Sequence, residues 1–583
     1  MGAIVAILAR AVCFCALLNH LAHVGVSAYS TSLAKRAIDP EWVYSAKDFF
    51  RRAYHTSVVV GNHLYIDGGE VYFTSNNAVK SLPMNSTYSI DLSASWKNNS
   101  VVLNPIEKTS PPPSLNVGNL VPDPSGTSFY QWNGKITQAL DYTELPGPTK
   151  ANLWQCRIDG DSCEWSLVTS TNLKRLVRSA STQGNGTAYF LGGFGDWRTD
   201  LAYYSNVNLR HSAGGLVTYE IKSQTWSNES IEGLAPTGWS FDASLHYLDG
   251  LTNQGFLLAM GGATAAPGNL KSGGEYLNPF SYVTLYDIEA KKWYNQSTSG
   301  DVPPRRYDKC SLGIPGDNGT FEIFLYGGSV IPTASYAEEQ QTNIDLAEVY
   351  ILSIPSFRWY KANTNPTVSR YRHTCEIVGQ RQMVVIGGLT SGVKYANLTK
   401  DPLKQGLGIF DLTTLEWRSS YNASAEAYRS PDIVKEDIQQ NGQYPSSWDS
   451  KVVEGWFINK AVDNAPSNAT ETSIPDVSSG KSSNTGAIVG GVVGGIGGLI
   501  LIGLAIFFFR RRTRSRKSNS AQSLLQTKQP EFDHPPLDQP VLNQPELEGT
   551  RPKIDYSQAD SGELDSTNRF ELPAYENQKP SRR

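Results

Sequence analysis

The stretch RYRHTCEIVGQRQMVVIGG, residues 370–388, and its sequel GIFDLTTLEW, residues 408–417, decide the fold. His373 to Val378 is rich in β-formers, and Gly379-Gln380-Arg381 reads as a turn. Met383 to Ile386 is a short apolar run that stops at Gly387-Gly388. After a polar loop, Leu407 to Leu412 reads as a third strand, Thr413-Thr414 as a turn, and Leu415 to Arg418 as a fourth strand. One unit is therefore four short strands in succession.

The unit recurs. Double glycines end apolar runs at Gly68-Gly69, Gly192-Gly193, Gly261-Gly262, Gly327-Gly328 and Gly387-Gly388, and a strand and then a tryptophan follow each, at Trp96, Trp226, Trp293, Trp359 and Trp417. In a degenerate copy Phe129-Tyr130-Gln131-Trp132-Asn133-Gly134 stands where the double glycine belongs, and Trp165 closes the unit. Successive tryptophans lie 69, 61, 67, 66 and 58 residues apart, which makes about six units. A lone four-stranded sheet cannot bury both faces, whereas radially packed sheets bury one another. The expectation is an all-β propeller over 51–420 with about six four-stranded blades, seven being the alternative count. The double glycine permits φ > 0 and close backbone approach, and the tryptophan supplies an apolar plate between blades.

This pattern resembles the kelch repeat: an apolar run, two glycines, then a spaced tyrosine and tryptophan. Tyr65, Tyr189, Phe256, Phe324 and Met383 open or enter the runs; Tyr88, Tyr219, Tyr286 and Tyr350 precede the tryptophans, with Phe410 in the last copy. The resemblance implies a propeller like those of kelch proteins and galactose oxidase. It is nearest in kind to single-pass fungal kelch proteins, for which the family implies little assigned chemistry.

A net charge of −4 with 18% charged residues leaves no nucleic-acid footprint. Residues 1–28 run apolar from Ile4 to Leu18 and end Val26-Ser27-Ala28, the form of a cleaved secretion signal. A lead segment, 29–50, carries Lys35-Arg36, read as a dibasic processing site or as ordinary linker. N-glycosylation sequons stand at Asn85, Asn98, Asn185, Asn228, Asn295, Asn318, Asn397, Asn422 and Asn468, all before residue 486. That one-sided distribution places the region outside the cytosol. Residues 421–463 read as a short helical cap, with Ser430-Pro431 opening a helix to about Gln440 and a second helix over Ser447 to Phe457. Residues 464–485 form a Ser/Thr/Pro-rich stalk. Gly486 to Phe509 is uncharged and long enough to span a bilayer core of ~30 Å. The Arg/Lys cluster at 510–517 orients it as a single-pass type I protein with the C-terminus cytoplasmic, the plasma membrane being the expected site. Gly490, Gly494 and Gly498 recur every four residues, which reads as a homodimer face or as composition. The tail, 510–583, has a disordered composition. Its Leu572-Pro573-Ala574-Tyr575 is similar to motifs that WW domains read.

Asp159-Gly160 is a hairpin turn that places Cys156 and Cys163 opposite each other, so a bridge between them is expected. Cys310 and Cys375 open the first strands of neighbouring blades at equivalent positions and read as an inter-blade bridge or as two buried thiols. The histidines of the outer part, His55, His63, His211, His246 and His373, are scattered, and no nucleophile–base set or phosphate loop stands out. No catalytic residue, cofactor or metal is expected. Arg52, Arg178, Arg306 and Arg370 precede the first strands of their blades. They read as a basic ring on a ligand face, or as pairs with Asp91, Asp287 and Asp411 that pin blades. The leading expectation is a cell-surface protein whose propeller binds an extracellular protein or glycan, for adhesion, recognition or signalling, while the tail meets cytoplasmic partners. The alternatives are a copper radical oxidase acting on carbohydrate, by resemblance to galactose oxidase, and a cell-polarity scaffold.

Overall fold

The computed structural model describes residues 49–463 apart from 76–77, 109–111, 138–150, 161, 171–172, 204–209, 213–214, 230–233, 235–238, 266–274, 331–345, 365–368 and 391–398. The signal, the dibasic pair, Asn397, Asn468, the stalk, the apolar segment at 486–509 with its glycines, and the tail fall outside the described residues. Among the described residues no helix is long and apolar enough to cross a membrane.

Six antiparallel four-stranded sheets follow one another, each with its strands in chain order. Blade 1 comprises Thr56–Val60, His63–Asp67, Ser86–Asp91 and Asn104–Glu107; blade 2 Asn119–Pro122, Ser128–Trp132, Asn152–Asp159 and Ser162–Ser170. Blade 3 comprises Ala180–Gly184, Thr187–Leu191, Leu216–Glu220 and Thr225–Glu229; blade 4 Ser244–Leu248, Phe256–Met260, Tyr282–Asp287 and Lys292–Ser297. Blade 5 comprises Cys310–Pro315, Phe321–Tyr326, Tyr350–Ile354 and Arg358–Lys361, with Ser299–Gly300 added in parallel at its outer edge; blade 6 comprises Thr374–Val378, Gln382–Ile386, Leu407–Asp411 and Glu416–Arg418. The first strand of each blade touches the first strand of the next, and that of blade 6 touches that of blade 1. The ring therefore closes at six blades.

The core is distributed over the six interfaces between blades rather than gathered in one centre. Tyr65, Phe129 and Trp165 fill the first interface, and Trp132, Phe190 and Tyr219 the second. Leu191, Leu257 and Tyr286 fill the third; Leu258, Leu325 and Trp359 the fourth. Tyr326, Met383 and Phe410 fill the fifth, and Leu64, Ile66 and Ile386 the sixth. The repeat tryptophans act as expected where register allows. Tyr219 faces Trp226, Tyr286 faces Trp293 and Phe410 faces Trp417 across the outer strand pair. Trp226 then reaches Trp132 of the preceding blade at 4.8 Å, and Trp417 reaches Tyr326 at 5.1 Å. Trp96 departs from the pattern. It lies not on the outer strand of blade 1 but in Trp96–Lys97, which pairs with Ser420–Tyr421 beyond blade 6. It serves ring closure, because a ring has one interface that no covalent turn makes.

The glycine corners do a second task at five of the six blades. After Gly69, Gly193, Gly328 and Gly388, and after Gly134 of the degenerate copy, the chain meets the segment that leads into the next blade. Gly69 N–H donates to Leu115 C=O (2.9 Å), Gly134 to Leu176 (2.7 Å), Gly193 to Ser240 (2.8 Å), Gly328 to Arg370 (2.8 Å) and Gly388 to Arg52 (2.7 Å). The last of these joins blade 6 to blade 1. The glycine before each bond has φ near +60° and no room for a side chain: a Cβ on Gly68 would sit 2.2 Å from the Leu115 carbonyl oxygen. In the degenerate copy Asn133 adopts φ 62, which asparagine tolerates.

Two helices follow blade 6, α1 at Asp432–Asn441 and α2 at Lys451–Asp463. Ser430 does not cap α1. Pro431 takes that position, and the Ser430 hydroxyl turns to blade 5, where it accepts from Asp317 N–H (3.0 Å) and donates to Glu322 (3.2 Å). Asp437 of α1 accepts from Arg358 (2.7 Å) and Tyr360 (2.8 Å) of blade 5. The second helix begins at Lys451 rather than Ser447, because Ser450 Oγ receives the N–H of Val452 (3.2 Å). Val453 and Phe457 of α2 are buried against blades 4 and 5.

Replacing Gly68 with alanine is expected to cost roughly 2–4 kcal/mol in chemical denaturation, since the backbone of the next blade must give way. The same change at Gly160, where φ is 57 but nothing lies within 4 Å, should cost about 1 kcal/mol. Equal losses at the two positions would contradict the assigned role.

Candidate functional site

The first strands line an axial channel, and the residue two positions before each of them shapes its mouth. These six residues are Tyr54, Val117, Arg178, Asp242, Asp308 and Arg372, and all have left-handed backbone, with φ of 62, 52, 63, 53, 54 and 56. None is glycine, and Val117 is β-branched, so the conformation is costly and persists because the surroundings impose it. Hydrogen bonds between neighbouring members hold this collar at three of the six blade boundaries. Val117 N–H donates to Tyr54 C=O (2.8 Å), Asp242 N–H to Arg178 C=O (2.9 Å) and Tyr54 N–H to Arg372 C=O (3.3 Å). Inside lies a cavity of about 260 Å³ to which all six blades contribute.

Charges at the mouth are paired across blade boundaries. Arg178 of blade 3 meets Asp242 of blade 4 at 3.0 Å, and Arg372 of blade 6 meets Asp308 of blade 5 at 3.0 Å, all four side chains being buried. The Arg178 guanidinium also lies over the Phe194, Phe241 and Tyr307 rings. Burial pushes the Asp242 carboxyl up against the opposing pull of Arg178 and Lys309. Lys309, the next residue of blade 5, gives its Nζ to the Asp242 carbonyl (2.8 Å), and burial pushes it down to about 8. His55 and His373 occupy that same repeat position in blades 1 and 6. Burial pushes His373 down to about 3 and His55 well below the ordinary imidazole range, so both are neutral. Deeper in the wall Ser57 Oγ donates to Glu376 Oε1 (2.8 Å) and lies 2.7 Å from Thr374 Oγ1. Burial pushes Glu376 up to about 7.

The four arginines singled out from the sequence are not one ring. Arg52, Arg306 and Arg370 share a position two residues before the collar and are fully buried. Arg306 donates to Gly327 C=O (3.1 Å), and Arg370 to Gly387 C=O and to Asp401 (3.1 Å). Arg52 lies over the Phe49 and Tyr88 rings. Arg306 and Arg370 brace the double-glycine corners, and none of the three lines the axial cavity. Only Arg178, at a different repeat position, lines the channel. The acids expected as their partners cap turns instead: Asp91 accepts from Ser93 N–H, Asp287 from Glu289 and Ala290, and Asp411 from Thr413 and Thr414.

Both disulfides form, each with a shifted geometry. Cys156 faces Trp165, and Cys163 faces Ile158, so the Cys156–Cys163 bridge runs diagonally with Cα atoms 5.5 Å apart. Cys310 is the register equivalent of Thr374, each facing the residue before its double glycine. The Cys310–Cys375 bridge, Cα atoms 5.8 Å apart, is therefore staggered by one residue and ties the first strands of blades 5 and 6 in the channel wall. Of the sequons, Asn185 lies exposed in the turn between the first two strands of blade 3. Asn228 and Asn295 lie exposed on outer strands. Asn422 is exposed, and Asn98 gives its Nδ2 to Leu407 C=O (3.1 Å). Asn85 is exposed just before the third strand of blade 1, and Asn318 sits in the Asp317–Gly319 turn.

Copper radical chemistry of the galactose oxidase kind needs two histidines, two tyrosines and a cysteine cross-linked to one of them. The described residues do not fit it. All four described cysteines are in disulfides, the five histidines lie on blades 1, 3, 4 and 6, and among the described residues no three His, Cys, Asp or Glu side chains gather. The collar escaped sequence reading because its six members share a backbone conformation and no side-chain chemistry.

No protein-family profile matches the chain. Among curated proteins it is similar to a kelch repeat-containing protein of Arthroderma benhamiae (strain ATCC MYA-4681 / CBS 112371), 26% identical over 445 residues, 68% of this chain. The match spans 60% of that relative's length. Among solved structures, one titled "Structure of YjhT" aligns with a TM-score of 0.43 at 12% identity, covering 64% of this chain and 98% of that one.

Replacing Arg178 with methionine alone should destabilise the ring by about 3–5 kcal/mol, because it strands a buried carboxylate. Adding Asp242→Leu should restore part of that loss in a double-mutant cycle; purely additive losses would mean the pair is not coupled. A second expectation concerns pH. An unfolded glutamate titrates near ~4.3, whereas folded Glu376 keeps its proton up to about 7. Between those values the folded state binds more protons, so the Glu376 contribution falls as pH rises and is gone above the upper value. His246 and His373, held at about 3, act oppositely as pH rises from there to ~6.5. Glu376→Gln should therefore raise Tm relative to the parent near about pH 8 and leave it unchanged near about pH 4. A pH-independent difference would show that Glu376 titrates alike in the folded and unfolded chain.

Proposed function

We propose that this kelch-repeat chain is a cell-surface binding protein, exported and held by one membrane span, whose propeller presents its axial-mouth face to an extracellular protein or glycan. The observation that carries the reading is the collar. Six strained residues from six blades converge on one polar mouth, and strain concentrated at one locus is characteristic of functional sites. The connections from second to third strand leave the double-glycine corners on that same face, and loops on a rigid scaffold are where recognition resides. The membrane placement rests on the sequence alone: the apolar N-terminal run, the nine sequons before residue 486, and the uncharged segment 486–509 with its basic flank. The two disulfides accord with an oxidising compartment. The tail supplies cytoplasmic contact through residues 572–575 as a WW-domain ligand, and Gly490, Gly494 and Gly498 give the membrane span a helix-pairing face.

Two measurements on the full chain test this. Digestion with an N-glycan-specific glycosidase should increase its electrophoretic mobility, and intact cells displaying it should expose the propeller, but not the tail, to added protease. Cells displaying the chain should also retain a partner from protein or glycan arrays, and Tyr54→Ala at the mouth should weaken that retention at least about tenfold. Absence of glycans, or retention unaffected by changes on the mouth face, would refute the reading.

A further inference from the structure

The axial cavity has a chemical character that goes beyond partner binding at the rim. Its volume, about 260 Å³, lies just below the range of about 300–1,000 Å³ for pockets that hold drug-sized ligands. It suits a molecule of one ring. The strong charges of the wall are already used: Arg178 on Asp242, Arg372 on Asp308, and the Lys309 ammonium on the Asp242 carbonyl. A charged ligand would have to break one of these buried pairs, which is costly.

Seven serines and threonines also line the wall, among them Ser57 and Ser311. The Ser57 proton points within the wall toward Glu376, and Ser311 Oγ meets His246 Nε2 at 2.9 Å. Ser57, whose proton is committed, still offers lone pairs, and Ser311 keeps a lone pair whichever way its bond to the imidazole runs, so both accept from a ligand that donates. A neutral ligand that donates at several points carries hydroxyl groups. Blades 2 and 4 contribute Leu120 and Leu245, an apolar surface against which the C–H face of a sugar ring packs.

We propose that the axial cavity binds a neutral, hydroxyl-rich molecule of hexose size. This rests on reading the propeller as a binding module, and it names the small-molecule chemistry of its centre rather than the partner at its rim. The ligand lies between the hydroxyl groups of blades 1 and 5 and the leucines of blades 2 and 4.

The test is calorimetric titration of the full chain in lipid nanodiscs with glucose, galactose, mannose and sorbitol, and with glucuronate and glucosamine as charged counterparts. At least one neutral probe should bind and outcompete both charged ones. Ser57→Val, which removes the acceptor, and Leu245→Phe, which adds bulk at the wall, should each weaken it at least about tenfold in protein that still melts cooperatively, at a Tm lowered by the lost Glu376 contact and by overpacking respectively. Should one variant fail to fold, the other decides. No heat with any neutral probe, tighter binding of glucuronate, or parental affinity in a folded variant overturns the proposal. Loss of sugar binding with partner retention intact removes this inference alone. Loss of retention while a sugar still binds removes the rim reading alone.

Discussion

A single short hydrogen bond, repeated from blade to blade, underlies the architecture. At the end of a second strand a glycine N–H donates to a carbonyl just ahead of the neighbouring blade, and the bond from Gly388 to Arg52 closes the circle. The bond requires left-handed backbone at the corner, and the approach is so close that a Cβ would strike the neighbouring chain. Steric exclusion thus explains the paired glycines better than flexibility does. Arg306 and Arg370 brace the corner from beneath by donating to glycine carbonyls that would otherwise be buried without partners.

Apolar burial supplies the driving force that these bonds direct. Six clusters, one per interface, make each blade dependent on two neighbours, so no blade has a core of its own. The interface between blades 6 and 1 lacks a covalent turn and is reinforced accordingly. Trp96 pairs with Tyr421, Tyr421 donates its hydroxyl to Leu92 C=O (2.9 Å), and Arg51 reaches Gly388 C=O (2.6 Å). The Cys310–Cys375 bridge and α1 hold the adjoining interface. The axial collar is a consequence of this closure: packing six sheets forces their entry segments together, and the resulting left-handed backbone is tolerated because the ring cannot relax around it.

Much of this was legible in the chain. Local chemistry is printed in sequence, so the four-strand unit, the glycine corners, the tryptophan plates and the Cys156–Cys163 hairpin could be read from spacing alone. Register could not. The diagonal disulfide, the one-residue stagger of Cys310 against Cys375 and the displacement of Trp96 each depend on how strands slide past one another. Arg178 looked like Arg52, Arg306 and Arg370 because it also precedes a first strand, yet a shift of two residues moves it from a buried corner to the channel wall.

The sequence by itself determined that the chain is a ring of repeated sheets, because the period of an apolar pattern and the glycines that interrupt it act over a few residues. Only the tertiary structure decided that the ring has six members, that its charges are paired across blade boundaries, and that a polar cavity lies on the axis. Those properties arise where residues more than fifty positions apart meet, and the six that form the mouth have nothing in common but the backbone conformation that closure imposes.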